Sequence, residues 1–285
     1  MCKTILVVIL YNKTLKESLT LNCLMSDAYA NIDLLIINNG PKPLEVDEDF
    51  IHTLGFFVNG IETKEFIDNK PLSWIYNSLF NEYHDYERFI LFDDDSVLNK
   101  NYIKKLDQYH SSDIDLQIPN IREKTNGKFY YPALDQIVQN FSDGEKINPK
   151  YSVISIGSGL VIYRSLVDKF AEMNMELFDS RFALYGVDFS FFNRIGLLKN
   201  KNINVTIQVV GTLNHSLSRV DESYCKWRTT ERLYDNVLSI KYYSRSQLTI
   251  LIQILKLSCK QLVKFRISNL VLIIIIFIRG KHPRC

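Results

Sequence analysis

Arg88-Phe89-Ile90-Leu91-Phe92-Asp93-Asp94-Asp95-Ser96 is the stretch that decides how the chain is read. Its four consecutive apolar residues are too few for a helix and too continuous for a strand with one wet face. They predict a strand buried on both sides. Three aspartates follow without a spacer. Adjacent carboxylates repel one another and are costly to desolvate, so they need full solvation or a counter-charge. Along an extended chain successive side chains point to opposite sides, which places Asp93 with Asp95 and leaves Asp94 apart. A hard divalent cation, Mg²⁺ or Mn²⁺, held by that pair is one solution. A solvated acidic turn is the other, with Asp95 or Ser96 capping a helix expected over Lys100 to Tyr109.

Strands and helical stretches alternate on either side of this segment, the order that builds a mostly parallel α/β sheet. Thr4 to Leu10 and Ile32 to Ile37 are further buried strands, and Phe56 to Val58 is a short one. Leu15 to Met25 and Leu72 to Tyr83 have helical periodicity. Between Leu116 and Tyr163 the pattern changes to short strands and turns, among them Lys128 to Tyr131, Val153 to Ile156 and Leu160 to Tyr163. Ligands of open α/β sheets bind beyond the carboxyl ends of the strands, where loops converge and helix amino termini point inward. Three polar groups stand there: Tyr11 with Asn12, Asn38 with Asn39, and Asp93 to Ser96.

A second acidic position is Asp188, in Leu177 to Arg194. Gly186 interrupts the chain just ahead of a helical run, so Asp188 occupies its first turn, facing the crevice or serving only as an N-cap. Gly157, Ser158 and Gly159 lie between two apolar strands, as a hairpin turn or as a place where a sugar or diphosphate approaches bare backbone.

The chain has 285 residues, 46% of them hydrophobic and 23% charged, enough for one large α/β domain with an appendage. A formal net charge of +2 gives no field that would favour nucleic acid. The five cysteines have no paired spacing, which predicts reduced thiols in a cytosol.

The order Thr4 to Asn12, Asn38-Asn39-Gly40, Phe92 to Ser96, Ser155 to Gly159 and Phe178 to Arg194 resembles family 2 glycosyltransferases, especially rhamnosyltransferase-like enzymes of bacterial surface-polysaccharide (O-antigen) assembly. The resemblance runs over about residues 4 to 220. It implies a GT-A fold whose Asp-X-Asp motif is Asp93 to Asp95 and whose later acidic motif, followed by Arg, is Asp188 with Arg194. On that basis Asp95 is the principal metal ligand, Asp93 assists at the metal or ribose, and Asp188 is the catalytic base. His215 corresponds to a histidine that touches the metal or diphosphate. Tyr11, Asn12, Asn38, Asn39 and Asp94 fall to the nucleotide-sugar donor, and Ser158, Gly159 and Arg194 to the acceptor. Many relatives have Asp at the place of Asn38 and Glu at that of Val187.

The chemistry implied is an inverting transfer from a nucleoside-diphosphate sugar to a saccharide hydroxyl. The leaving diphosphate gains negative charge that a divalent ion can stabilise, and a carboxylate on the opposite face accepts the incoming hydroxyl's proton. A metal-dependent nucleotidyltransferase or phosphotransferase could use a similar centre, though no Gly-rich phosphate loop ending in Lys is present. A non-catalytic membrane-bound scaffold would need none of these carboxylates.

Residues 1–246 are expected to form the catalytic domain, with a nucleotide-sugar half at 1–98 and an acceptor half at 99–246. Residues 247–285 are expected to form amphipathic helices. Leu248 to Ile278 is strongly apolar but carries Lys256, Lys260 and Lys264 at intervals of four, on one helical face. Its longest apolar run, Leu270 to Ile278, is about 14 Å as a helix, short of the roughly 30 Å hydrocarbon core. The segment is therefore expected to lie peripherally on the cytoplasmic face of a membrane, lysines toward anionic headgroups, near a lipid-linked acceptor. A helical hairpin packed on its own domain or on a partner is the alternative. Every donor candidate precedes Gln247, so donor binding is expected to survive removal of the rest.

Overall fold

The computed structural model describes residues 2–217 and 225–285. The end of the sequence resemblance, at residue 220, lies outside the described residues. The first half runs β1 (Thr4–Leu10), α1 (Leu19–Leu24), β2 (Tyr29–Asn38), α2 (Glu48–Gly55), β3 (Val58–Glu65), α3 (Leu72–Glu82) and β4 (Arg88–Asp93). Next come β5 (Val97–Leu98), α4 (Tyr102–Tyr109), β6 (Leu116–Glu123), β7 (Phe129–Tyr131), β8 (Ala133–Leu134), β9 (Ile137–Val138), β10 (Glu145–Lys146), β11 (Val153–Ile154) and β12 (Leu160–Tyr163). The chain continues through α5 (Arg164–Glu172), α6 (Gly186–Asn200), β13 (Ile207–His215), α7 (Lys226–Tyr243), α8 (Gln247–Val263) and α9 (Ile267–Arg279).

The main sheet has the order β10-β13-β6-β12-β4-β1-β2-β3. β4, β1, β2 and β3 are mutually parallel, and so are β6 and β13, whereas β12 runs antiparallel between β4 and β6. The mostly parallel α/β expectation therefore holds. β1 shows why its sequence is continuously apolar: Ile5, Val7 and Ile9 enter one core and Leu6, Val8 and Leu10 the other. The first core is covered by α3, α5, α6, α7 and α9, the second by α1, α2 and α4. Each such buried aliphatic side chain contributes about 1.5–3 kcal/mol.

Differences from the expected elements are local. α1 begins at Leu19, where the Ser18 hydroxyl accepts the Leu21 N–H as an N-cap. Phe56 closes α2, and the neighbouring strand extends instead from Val58 to Glu65. α4 starts after Asn101, so neither Asp95 nor Ser96 caps it.

The last two helices are tied to the body of the fold. Ile273 and Ile276 of α9 share a core with Val237 and Leu238 of α7. Lys241 and Tyr242 of α7 donate to the carbonyls of Phe277 and Gly280. After α9 the chain turns back, and the His282 amide donates to the Arg181 carbonyl at 2.9 Å. The other faces are open: Leu251, Leu255, Val263, Phe265, Ile274 and Ile278 are exposed. Among the described residues no helix is long and apolar enough to cross a membrane.

Candidate active site

β4 delivers the aspartates to the carboxyl edge of the parallel strands, where a cleft of about 360 Å³ opens. Its lining includes Tyr11 and Asn39 from the ends of β1 and β2, Asp93, Asp94 and Asp95, and His215 at the end of β13. Asp188 and Phe189 come from α6, and Trp227 from α7.

The triplet separates as alternation requires. Asp94 turns to Lys13, whose ammonium lies 2.5 Å from Oδ1, and to the Tyr11 amide at 3.4 Å. Asp93 and Asp95 converge with His215, each offering one ligand atom within 4.8 Å of the others. His215 Nδ1 is 3.2 Å from Asp95 Oδ1, and its Nε2 is 3.7 Å from Asp93 Oδ2.

Short hydrogen bonds hold this geometry from behind. The Ser158 hydroxyl accepts the Asp93 amide and lies 2.6 Å from the Ser96 hydroxyl, which is 3.0 Å from His215 Nδ1. Thr20 donates to the Asp93 carbonyl and accepts the Ser96 amide. With Nδ1–H donating to Ser96, Nε2 keeps its lone pair toward Asp93, as a metal-ligating imidazole requires.

The electrostatics are those of a site with surplus negative charge. Burial pushes the Asp93 carboxyl well above its ordinary range, and Asp95, Asp188 and Asp94 push it further. The Asp93 side chain keeps 42% of its surface exposed, and the three neighbouring carboxylates act on it there. Asp94 is also raised by burial, against the opposing effect of Lys13. Burial lowers the His215 pKa, favouring the neutral ring that ligation needs. Lys124 donates to the backbone carbonyl of Asp95, not to its carboxylate. Asp95 Oδ1 is buried and accepts no hydrogen bond, His215 Nδ1 at 3.2 Å being turned to Ser96 instead. Two hard oxygens and one imidazole nitrogen around an orphaned acceptor fit a divalent cation.

Asp188 is the third residue of α6, and the N-cap position belongs to Tyr185, so Asp188 is no cap. Its carboxylate rests on Gly157: a Cβ there would lie 2.6 Å from Oδ1. Gly157 thus makes room for an acid in the same cleft, close enough to add to the rise of the Asp93 pKa. Burial, with Asp93 and Asp188 adding to it, drives the pKa of the enclosed Tyr76 phenol up.

The other expected residues divide. Tyr11, Asn39 and Asp94 line the cleft. Asn38 is buried and committed, its amide donating to the Lys42 carbonyl while its oxygen accepts the Gly40 amide. Asn12 is exposed beside the cleft lining, with its amide on the Gly40 carbonyl. Ser158 is fully buried and supports the aspartates, so its hydroxyl is not presented to an acceptor. Gly159 has φ of +86° and donates to the Leu91 carbonyl, a turn that any Cβ would drive into Pro119 and Leu213. Arg194 points away, donating to the Glu176 carbonyl and lying 3.7 Å from Asp179. Asn69, Tyr76, Tyr131 and Trp227 also line the cleft and were not singled out from the sequence, whereas Tyr185 and Phe189 come from the aromatic run that the sequence assigns mostly to the core with one member at the acceptor cleft. Only the aromatic character of some of them hinted at it.

A mostly parallel sheet with a metal-competent acidic cleft at its carboxyl edge defines a class, and comparison with solved structures identifies it as the GT-A fold. No family profile and no curated protein matches the chain. Residues 1–349 of S. aureus TarS align at a TM-score of 0.51 and 12% identity, covering 99% of this chain and 93% of that one. GalNAc-T7 with UDP, GalNAc and Mn²⁺ aligns at 0.54 and 12%, over 85% of this chain and 48% of its own. Mannosyltransferase PcManGT from Pyrobaculum calidifontis, with GDP-Man and Mn²⁺, aligns at 0.50 and 10%, over 83% and 62%. The chain spans 41% of a longer TarS structure. At these identities the likeness is one of fold.

Proposed function

We propose that the chain is a metal-dependent, inverting nucleotide-sugar glycosyltransferase. The observation that carries this is the convergence of Asp93, Asp95 and His215 in one cleft with Asp188. The structural neighbours are glycosyltransferases, and two of them hold Mn²⁺ with GDP-Man or with UDP and GalNAc, which supports the same use of this cleft. A Mg²⁺ or Mn²⁺ ion held by Asp93, Asp95 and His215 would supply Lewis-acid stabilisation of the departing diphosphate. Lys13 holds Asp94 and thereby the turn that carries the ligands. Asp188, seated against Gly157, accepts the proton of the attacking hydroxyl. Tyr185, Phe189 and Trp227 on the same side offer apolar faces for an acceptor sugar. The finer reading comes from the sequence resemblance: transfer of a hexosyl or deoxyhexosyl unit, rhamnose-like, to a lipid-linked saccharide in surface-polysaccharide synthesis.

A membrane location supports such an acceptor. Lys256, Lys260 and Lys264 are exposed beside the apolar side chains of α8 and α9, a combination complementary to an anionic bilayer surface, peripheral and on its cytoplasmic face. Replacing the three lysines with Glu should weaken binding to phosphatidylserine vesicles by about 1 kcal/mol per residue at most, less at high salt. No vesicle binding by the unaltered chain, with concentration-dependent dimers in its place, would assign this face to a second copy.

The activity test is a panel of UDP-, GDP- and dTDP-sugars offered to the full chain with Mn²⁺ and again with EDTA. Nucleoside diphosphate released only with metal supports the transferase. Turnover of nucleoside triphosphates instead would favour nucleotidyl or phosphoryl transfer.

A further inference from the structure

The segment after α9 packs back against α7 and reaches Asn69, a residue of the cleft lining. His282 is fully buried, with Nε2 3.2 Å from the Glu231 carboxylate of α7 and its ring edge-on to Tyr234. Arg284 follows, and its two guanidinium arms part. One nitrogen donates to Glu231 Oε2 at 2.7 Å, the other to the Asn69 carbonyl at 3.3 Å.

Each partner leads to a different wall. Asn69 lines the cleft and its side-chain oxygen accepts from Asn39, which also lines it and donates to the Lys70 carbonyl. Glu231 stands one helical turn before Asp235. Asp235 is pressed on Gly186, the first residue of the helix that carries Asp188, so that a Cβ on Gly186 would fall 2.9 Å from it. Burial pushes Glu231 up, but His282 and Arg284 more than offset this and hold it below the ordinary carboxylate range.

We infer that Arg284 is a positioning residue behind the cleft, tying the Asn39–Asn69 side of the lining to the Glu231–Asp235–Gly186 contacts that set the helix carrying Asp188. A planar guanidinium suits this because its donors lie in a fixed fork, whereas an ammonium is a single point. Residues 247–285 then support the donor cleft from behind, and deletion from Gln247 removes this tie with the helices.

The test uses the full chain and its Arg284→Ala and Arg284→Lys variants. Amide hydrogen exchange without ligand should rise about threefold or more in Arg284→Ala at residues 69–72 and 185–189, with β1 and β4 unchanged. Arg284→Lys should keep Glu231 and lose Asn69, so exchange should rise at 69–72 only. Unchanged exchange at both places, or an equal rise across β1 and β4, overturns the inference. A second readout is affinity, with Mn²⁺, for whichever of UDP, GDP and dTDP the unaltered chain binds, which should fall about tenfold in Arg284→Ala while affinity for Mn²⁺ alone persists. Equal loss of both affinities overturns it too. If the unaltered chain binds none of the three nucleotides, the proposed function fails, and the exchange result still decides the role of Arg284.

Discussion

Two charged clusters, one lining the cleft and one behind it, differ in how their charge is met. Around β4, Asp93, Asp95 and Asp188 crowd together with a buried, neutral-leaning His215, and one Asp95 oxygen has no donor. Behind α7, Glu231 is met by His282 and Arg284. A cluster that the protein neutralises itself is architecture. A cluster left in deficit is arranged for something that arrives from outside, and the deficit, more than the number of acids, marks the ligand site.

That contrast breaks first under substitution of one acid from each cluster. Asp95→Ala should reduce sugar transfer by about 10³-fold or more while leaving the melting temperature unchanged or higher, since it relieves repulsion. Glu231→Gln should instead lower stability by roughly 1–3 kcal/mol, because the Arg284 guanidinium loses its counter-charge. Melting curves and initial rates on both variants decide it. Matching losses of stability in the two would erase the distinction.

Asp188→Asn comes next. It keeps shape but not basicity, so turnover should fall by about 10²-fold while Mn²⁺ and nucleotide affinity persist. Turnover equal to the unaltered chain's would leave Asp188 as packing for Gly157.

A third contrast concerns Asp235, which burial raises to about 8, Glu231 adding to the shift. Both its oxygens are buried without hydrogen-bond partners. Its folded-state pKa lies above its unfolded value of 3.8, so the folded protein binds more protons across that interval. Stability from this group is fully present below pH 4 and is lost as pH rises toward 8. Asp235→Asn should flatten the decline in melting temperature between pH 5 and 8. An unaltered slope would mean that the carboxyl is not held neutral.

The legible parts of the molecule were those where burial on two faces imposes unbroken apolar runs. β1 and β4 were read to within a residue for that reason, and the acids after β4 stood out because nothing local could neutralise them. β3 was largely missed because Val-Asn-Gly-Ile-Glu-Thr-Lys-Glu lies at the sheet edge with mostly exposed or half-exposed side chains, so no core writes a pattern into it. Arg194 was expected at the cleft from its order after Asp188. Six residues along a helix turn the side chain by roughly 240°, toward Asp179 and Glu176. Asn38 was expected at the donor, but as the last residue of β2 it is spent on its own turn. Asn69, Trp227 and Arg284 come from distant segments, and only the chain's path brings them together.

The central claim is that the deficit around Asp93, Asp95 and His215 is a cation site serving a nucleoside diphosphate. Titration of UDP, GDP and dTDP into the full chain by calorimetry, with Mn²⁺ and then with excess EDTA, is the sharpest test. At least one of them should bind with Mn²⁺, and that binding should disappear in EDTA and in Asp95→Ala. Binding of equal strength in EDTA, or no binding of any of the three with Mn²⁺ present, would overturn the claim.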